Sequence, residues 1–548
     1  MHSCFAVIQE SENGAMPHNH SALAGLTVLH MTQPVEGGVA RVVTDLVRAQ
    51  VRAGARVVVA CPIREPAHAE PDRSRDAPRE APWDAPTDAL RDRPGIQPLH
   101  RPETLPRAAA RAGAEVVRWD ARRSPGPGLV REVRTARRLI RAVRPDLLHL
   151  HSAKAGLAGR LAARGSLTTV FQPHAWSYEA VGGLTARAAL RWERRAAHWS
   201  DCLLCVSRAE RAAGESSGIH GAWTVVPNGV DTARFAPAGT PAEPVGAPGR
   251  DPGLAPGSAP GPGFGPVFGH QGCEDRESHQ GGEEYGHRQG GEDSGGARAR
   301  EVRDDRDDRP GWHDRDGQDD RDDRDDHPDR DERDERDERE ARQGRAALRA
   351  ALPALRDVGP DTPLVVCVGR LCRQKGQDVL LRAWPEVTAR LPRARLALVG
   401  DGPDRRRLTR EAPGSVITAG AAHDTAPWYR AADVVVLPSR WEGMALAPLE
   451  AMSCGRPVVV TDVGGARECL PPADAPACVV PIGDAHALAA ALLRLLTDPA
   501  LRTAAGARAL AHVRERHDLR RSTAAVTALY AGLLGLPAPG RPERAALR

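Results

Sequence analysis

The sequence predicts an α/β protein of two doubly wound domains, each a parallel sheet covered by helices. Three observations lead there. At 548 residues the chain is too long for one ordinary domain. On both sides of its middle, short wholly apolar runs alternate with segments of helical period, the pattern of successive βαβ units. The middle itself, 236–345, is low in complexity and separates the two halves.

Residues 1–21 are polar and read as a disordered extension. The first domain is expected over 22–235. Leu26–Met31 reads as a strand buried on both faces, and Val39–Val51 follows with apolar residues at 39, 42, 43, 46, 47 and 51, a helical spacing. Gly37 and Gly38 lie between them. Such a turn can hold a phosphate, because glycine lets the backbone approach closely and a helix N-terminus favours an anion; an ordinary βα turn has the same pattern. Arg56–Cys61 is the second strand. Residues 64–106 are rich in Pro, Arg, Asp and Ala and read as a poorly ordered insertion. Glu115–Trp119 and Leu147–His151 are strands, with the amphipathic helix Val130–Val143 between them. Thr168–Pro173 is another, with His174 just past its C-terminal end, where open α/β sheets bind ligands; a structural histidine would also fit. The helix Thr185–Trp199 carries Arg187, Arg191, Arg194 and Arg195 beside Trp192 and Trp199. That suits a membrane interface, or a packed helix with a solvated basic face. Cys202 and Cys205 form a C-x-x-C inside a strand, where alternation sends the two thiols to opposite faces and away from metal or redox work.

From 236 to 345 the chain runs through Pro/Gly, Gly/Glu/His and Asp/Arg tracts with nothing apolar to bury, so disorder is expected. Asp314-Arg315-Asp316 fits a D-x-D metal motif only as the repeat would by chance. The second domain is expected over 346–535, followed by a tail, 536–548. Pro363–Arg370 opens it as a strand, and Gly376–Trp384 is the helix after it. Arg370 and Lys375, at or just past the strand's C-terminal end, suit a diphosphate. Leu396–Gly400 is a strand followed by Gly400-Asp401-Gly402; Arg405 stands where a third glycine would complete a dinucleotide fingerprint. Val416–Gly420 is a strand. Then Asp433–Pro438 reads as a strand, Glu442–Ser453 as a loop opening a helix, and Pro457–Thr461 as a further strand. Glu442 and Glu450 are eight residues apart, and at about 3.6 residues per turn a continuous helix would set both on one side. The loop Glu442-Gly443-Met444-Ala445-Leu446 can aim backbone N–H groups at an anion. Taken alone, two such glutamates also fit a solvated helix face. Ala485–Leu496, Leu501–His517 and Leu519–Leu534 are helices.

Composition narrows the class. Hydrophobic residues make up 41% and aromatics 3%, so the cores must be Leu, Val and Ala. Basic residues outnumber acidic ones by 32 to 21 over 22–235 and by 27 to 19 over 346–548, whereas 236–345 holds 17 against 30. The basic halves fit an anionic ligand or lipid surface, or simply an Arg-rich solvated exterior; no nucleic-acid partner is expected, and the partner of the acidic tract is unknown. Ten scattered cysteines fit free thiols in a reducing cytoplasm. The N-terminus lacks a secretory signal, and no apolar run of about 18 residues occurs, so no membrane span is expected.

Residues 432–468 resemble the E-x7-E signature of the retaining, nucleotide-sugar-dependent glycosyltransferases of family 4, although EGMA stands where that family usually has EGFG. Arg370 and Lys375 match its R-x4-K pair, 399–403 its VGDGP turn, 227–231 its PNGVD segment, and His174 in HAWSYE its histidine near the donor sugar. The resemblance implies a GT-B fold, two Rossmann-like domains facing across a cleft, and a metal-independent hexosyltransferase without cofactor. It implies transfer from a nucleotide-diphosphate sugar to a glycolipid or small-molecule acceptor in bacterial polysaccharide or glycolipid synthesis. The location would be cytoplasmic, with peripheral contact to the inner face of the membrane. The implied catalytic residues are Glu442, His174, Arg370 and Lys375. Donor contacts would come from Gly38, Arg370, Lys375, Glu442, Gly443, Met444, Ala445, Leu446 and Glu450, with no metal ligand. The alternatives are a nucleotide-sugar epimerase or hydrolase on the same fold, and a scaffold acting through its charged insertion.

Overall fold

The computed structural model describes residues 22–63, 103–122, 126–240, 339 and 342–536. The extension 1–21, most of the 64–106 and 236–345 insertions, Asp314-Arg315-Asp316 and nearly all of the tail lie outside the described residues.

The described chain forms two parallel sheets. In the first, β1 is Thr27–Thr32, β2 Arg56–Cys61, β3 Glu115–Arg118, β4 Leu147–His151, β5 Thr168–Gln172, β6 Cys202–Cys205 and β7 Trp223–Val225. Their order is β3-β2-β1-β4-β5-β6-β7, and every neighbouring pair is parallel. In the second, β8 is Leu364–Val368, β9 Arg395–Val399, β10 Val416–Gly420, β11 Val434–Leu437, β12 Val458–Thr461 and β13 Val479–Val480. Their order is β10-β9-β8-β11-β12-β13, again all parallel. Strands such as β4 and β11 are buried along their whole length, which is why they read as unbroken apolar runs rather than alternating ones. Cys202 joins the core on one face of the first sheet and Cys205 the core on the other.

Each sheet reverses its winding once, between β1 and β4 and between β8 and β11. The crevice beyond the C-terminal ends of strands at such a reversal is where open α/β sheets take ligands. The loops leaving β1, β8 and β11 carry Gly38, Lys375 and Glu442, so the sequence candidates gather at the two reversals.

The chain ends where it began. The helix Leu519–Leu533 returns to the first sheet and buries Val526 and Tyr530 among Val43, Val47 and Leu204. Where the chain leaves and re-enters the first domain the two segments run side by side: Val230 N–H donates to His517 O at 2.8 Å and Leu519 N–H to Val230 O at 3.0 Å.

Helical residues 342–351 precede the second sheet and anchor it through Arg349. Its side chain is 1% exposed and reaches Asp433 Oδ2 at 2.9 Å. It also donates to the carbonyls of Gly359 at 2.8 Å, Thr362 at 2.9 Å and Ala431 at 3.1 Å. Removing one partner of such a pair leaves a buried charge uncompensated. Arg349→Ala is therefore expected to lower unfolding stability by about 3–5 kcal/mol, read by denaturant titration of the intact chain.

Candidate active site

The loop after β8 closes tightly against the loop after β11. Gly376 sits at φ 67°, a left-handed conformation, and a Cβ there would run into the Pro438 carbonyl. This brings Lys375 onto Glu442: Nζ lies 2.5 Å from Oε1, which also accepts from Ser439 Oγ at 2.8 Å. Arg370 is exposed, and its guanidinium makes no ion pair with the described residues. The 400–402 turn is pressed against the same loop. A Cβ at Gly400 or Gly402 would meet the Gly369 or Leu371 carbonyl.

The loop read over Glu442–Leu446 opens a helix that begins at Leu446, with Ala445 before it extended (φ −74°, ψ 140°); the continuous helix that would set Glu442 and Glu450 on one side does not form. The reason is tertiary. Gly443 is wedged between the domains, so that a Cβ on it would stand 3.0 Å from the His174 carbonyl carbon and 3.1 Å from Ala175 N. From behind, Gly465 N–H donates to Gly443 O at 2.6 Å, and a Cβ at Gly464 would strike the Glu442 carbonyl. From the first domain, Asn228 Nδ2 donates to Met444 O at 2.8 Å. A segment held from both sides cannot coil. Glu442 and Glu450 therefore share no helix face. Glu442 turns to Lys375, and Glu450, 4% exposed, turns to Arg41 and to the Tyr429 hydroxyl at 2.8 Å.

Gly38 and Leu446 face each other, with a Cβ position at Gly38 only 3.9 Å from Leu446 Cδ1. Both are first residues of helices, Gly38–Arg52 and Leu446–Ser453, so two N-terminal sets of free N–H groups meet from opposite domains.

His174 and Ala175 have φ of 56° and 111°, strained for residues with a Cβ. Glu210 holds them there. Its carboxylate accepts from Ala175 N at 2.6 Å and from Val206 N at 2.7 Å. Burial pushes Glu210 from 4.5 up to about 7, against the pull of those two donors. Burial also lowers His174 to about 3, which keeps its imidazole neutral. Among the described residues, the grouping close enough to hold a metal is His30, His149 and His151, with one nitrogen from each within 4.8 Å. In it both ring nitrogens of His30 are already engaged, Nδ1 with His151 Nε2 at 2.9 Å and Nε2 with Gln50 Oε1 at 2.7 Å.

Several contacts were not anticipated from the sequence. Arg41 lies three residues past Gly38, one turn into that helix, so the glycine pair was a signal for it. Nothing local marks Tyr429. Nothing marks Glu468 either, whose carboxylate crosses from the second domain to accept from Arg208 N and Ala209 N, each at 2.8 Å. Trp192 of the basic helix Gly183–Ala196 and Trp199 at the end of the short turn after it are not presented outward. Trp192 and Trp199 pack on each other with centroids 6.0 Å apart, and both are half-buried.

Residues 36–234 match the family described as Glycosyltransferase Family 4, and residues 362–498 the one described as Glycosyl transferases group 1. The chain belongs to glycosyltransferase family 4. Its similarity to curated relatives is partial. It is 38% identical over 164 residues to a GDP-mannose-dependent phosphatidylinositol monomannoside mannosyltransferase of Corynebacterium glutamicum, covering 28% of this chain and 42% of the relative. It is 35% identical over 190 residues to the lipopolysaccharide core mannosyltransferase LpcC of Rhizobium leguminosarum, covering 32% and 53%. It is 39% identical over 184 residues to a D-inositol 3-phosphate glycosyltransferase of Kineococcus radiotolerans, covering 29% and 42%. The chain thus spans about half the length of the curated relatives it matches. Among solved structures, sucrose-phosphate synthase from Thermosynechococcus elongatus superposes with a TM-score of 0.57 at 18% identity, covering 93% of this chain and 99% of that one. WaaG, a glycosyltransferase of lipopolysaccharide biosynthesis, superposes at 0.54 and 15%, covering 92% and 100%. These neighbours fix the fold of this family 4 protein as GT-B.

Because Glu210 binds its proton more tightly folded than unfolded, the folded state holds the extra proton between pH 4.5 and about 7. Its contribution to stability is therefore lost as pH rises through that window. Glu210→Gln is expected to flatten the fall of unfolding free energy across it, as measured by denaturant titrations at stepped pH.

Proposed function

We propose that this family 4 protein transfers a sugar, with retention of configuration, from a nucleoside diphosphate sugar to an acceptor hydroxyl in bacterial glycolipid or polysaccharide synthesis. The observation that carries the reading is the meeting of the Gly38 and Leu446 helix N-termini, with Lys375 and Glu442 bonded to each other on the adjoining loops.

In the proposed reaction the anomeric C–O bond to the diphosphate breaks and negative charge grows on the leaving phosphates. Arg370, Lys375 and the N–H groups at Gly38 and near Gly443 supply preorganised positive potential there. These cations do the work a metal would do, so no metal is required. The acceptor hydroxyl joins the same face of the sugar, and its proton passes to a donor phosphate oxygen. Glu450 takes the ribose hydroxyls once Arg41 releases it. Glu442 takes donor-sugar hydroxyls while Lys375 turns to the phosphates, and His174 faces the sugar from the first domain.

GDP-mannose is the first donor to try, because the corynebacterial relative is named for it; UDP-glucose follows, as the sugar nucleotide bound in the HepE structure from Anabaena, which superposes with a TM-score of 0.55. Among the described residues no helix is long and apolar enough to cross a membrane. A glycolipid acceptor is supported instead by an exposed apolar edge, Leu184 at 80% and Val181 at 43%, beside the exposed Arg187 and Arg191. A cyclitol phosphate acceptor is the second reading, favoured by the Kineococcus relative.

The test is incubation with labelled sugar nucleotides, with and without lipid or inositol-phosphate acceptors, followed by product analysis. Lys375→Met and Glu450→Ala are each expected to reduce transfer by about 10²–10³, and Glu450→Ala also lowers thermal stability, because it leaves the Arg41 guanidinium and the Tyr429 hydroxyl without their carboxylate. Full transfer by Glu450→Ala would sink the assignment, and free sugar as the sole product would mark a hydrolase.

A further inference from the structure

Four histidines converge on the reversal between β1 and β4. His30 is on β1, in register with His149 of β4, and His151 follows on the same face of β4. His174 lies past β5. His30, His149 and His151 are fully buried. Three of the rings form a continuous chain that starts on Gln50, a buried residue of the Gly38–Arg52 helix. Gln50 Oε1 is 2.7 Å from His30 Nε2, His30 Nδ1 is 2.9 Å from His151 Nε2, and His151 Nδ1 is 3.1 Å from His174 Nε2. His149 stands aside, with Nδ1 2.5 Å from the Tyr530 hydroxyl.

A neutral imidazole offers one N–H and one lone pair, and each link consumes one of each. The direction of the first link therefore fixes all the others. An amide oxygen only accepts, so His30 carries its proton on Nε2. Its Nδ1 then accepts from His151 Nε2–H, and His151 Nδ1 accepts from His174 Nε2–H. Burial holds all the rings neutral, lowering His30 to about 4 and the two β4 histidines well below their usual value. Were the Gln50 amide turned about, every proton in the chain would move across; in the orientation seen, Gln50 Nε2 is buried without a hydrogen-bond partner. His174 Nδ1 has no partner among the described residues, and it is absent from the buried unsatisfied atoms.

We infer that Gln50 is a positioning residue: through His30 and His151 it fixes His174 as the Nε2–H tautomer and presents Nδ1 to the cleft as an acceptor for a sugar hydroxyl. The identity of that ligand rests on the proposed glycosyl transfer; the tautomer does not. The arrangement also selects among ligands. A lone pair at Nδ1 takes a hydroxyl donor, whereas a proton there would take a carbonyl or phosphate oxygen.

The tautomer is read by NMR on the full chain labelled with ¹⁵N-histidine, in which ring shifts and two-bond couplings report which nitrogen is protonated. The His174 signals are assigned by their loss in His174→Asn. The expected result is a single His174 tautomer protonated at Nε2. Gln50→Met keeps the bulk and removes the acceptor. It should leave His174 as a tautomer mixture and raise the donor KM by the inverse of the fraction that keeps the Nε2–H form, about twofold for an even mixture, with little change in kcat. Val43→Ala opens the core beside the same helix without touching the chain and should change neither the tautomer nor the KM, although it too lowers stability. A wild-type His174 protonated at Nδ1 would overturn the inference, as would an unchanged tautomer in Gln50→Met. So would zinc in the purified chain whose removal by EDTA shifts the His30 and His151 signals. Because the NMR experiment uses no sugar nucleotide, an intact tautomer chain without transfer activity would defeat the functional reading and leave this one standing.

Discussion

The cleft depends on one close backbone approach, Gly443 of the second domain against His174 and Ala175 of the first. A Cβ on Gly443 would crowd the His174 carbonyl carbon at 3.0 Å and Ala175 N at 3.1 Å. The approach keeps Glu442–Ala445 extended, so that the following helix starts at Leu446 and points its free N–H groups toward Gly38. It also leaves the Glu442 side chain free to meet Lys375. On the other side, His174 and Ala175 accept a left-handed backbone because Glu210 bonds the N–H of Ala175 from within the first domain. Strain of this kind persists only where the surroundings over-determine it, and here the contacts come from three directions.

The other contacts across the cleft hold the same geometry at a distance. Asn228 carries Met444, Glu468 caps the helix that begins at Arg208, and Arg41 pairs with Glu450. The last pair is the informative one. Burial alone would push the Arg41 guanidinium downward, and a lone Glu450 carboxylate beneath Tyr429 would be costly to desolvate. Each satisfies the other. A ligand that takes Glu450 must offer it comparable donors, which the two hydroxyls of a ribose do.

Much of this was legible in the sequence. β2 and β4 have the bounds read from their apolar runs, because strands buried on both faces leave little room for misreading; the half-buried edge strand β10 also has the bounds read for it. Residues 442–446 were read as a loop opening the helix that carries Glu450, and the helix does start at Leu446; that Glu442 and Glu450 share no face was not legible, because the carbonyl that Gly465 captures is invisible to local propensity. Arg41 and Glu450 are 409 residues apart in the chain, and no periodicity connects them. The histidine chain was half visible: Leu147–His151 was read as a strand, but that its histidines share a face with His30 follows only from the parallel register of β1 and β4. For Trp192 and Trp199 the sequence left a membrane interface and a packed helix both open, because helical spacing gives the face of a residue and not the partner waiting for it; the two rings pack on each other.

The central claim is that a nucleoside diphosphate is held between the two sheet reversals by this chain's own cations and helix ends. The most direct measurement is a crystal structure of the intact chain with GDP or UDP, grown in EDTA. The account predicts the diphosphate within hydrogen-bond distance of Arg370, Lys375 and the backbone at Gly38, with Glu450 released from Arg41 onto the ribose. A nucleotide bound elsewhere, or bound there with the Arg41–Glu450 pair intact, would contradict it.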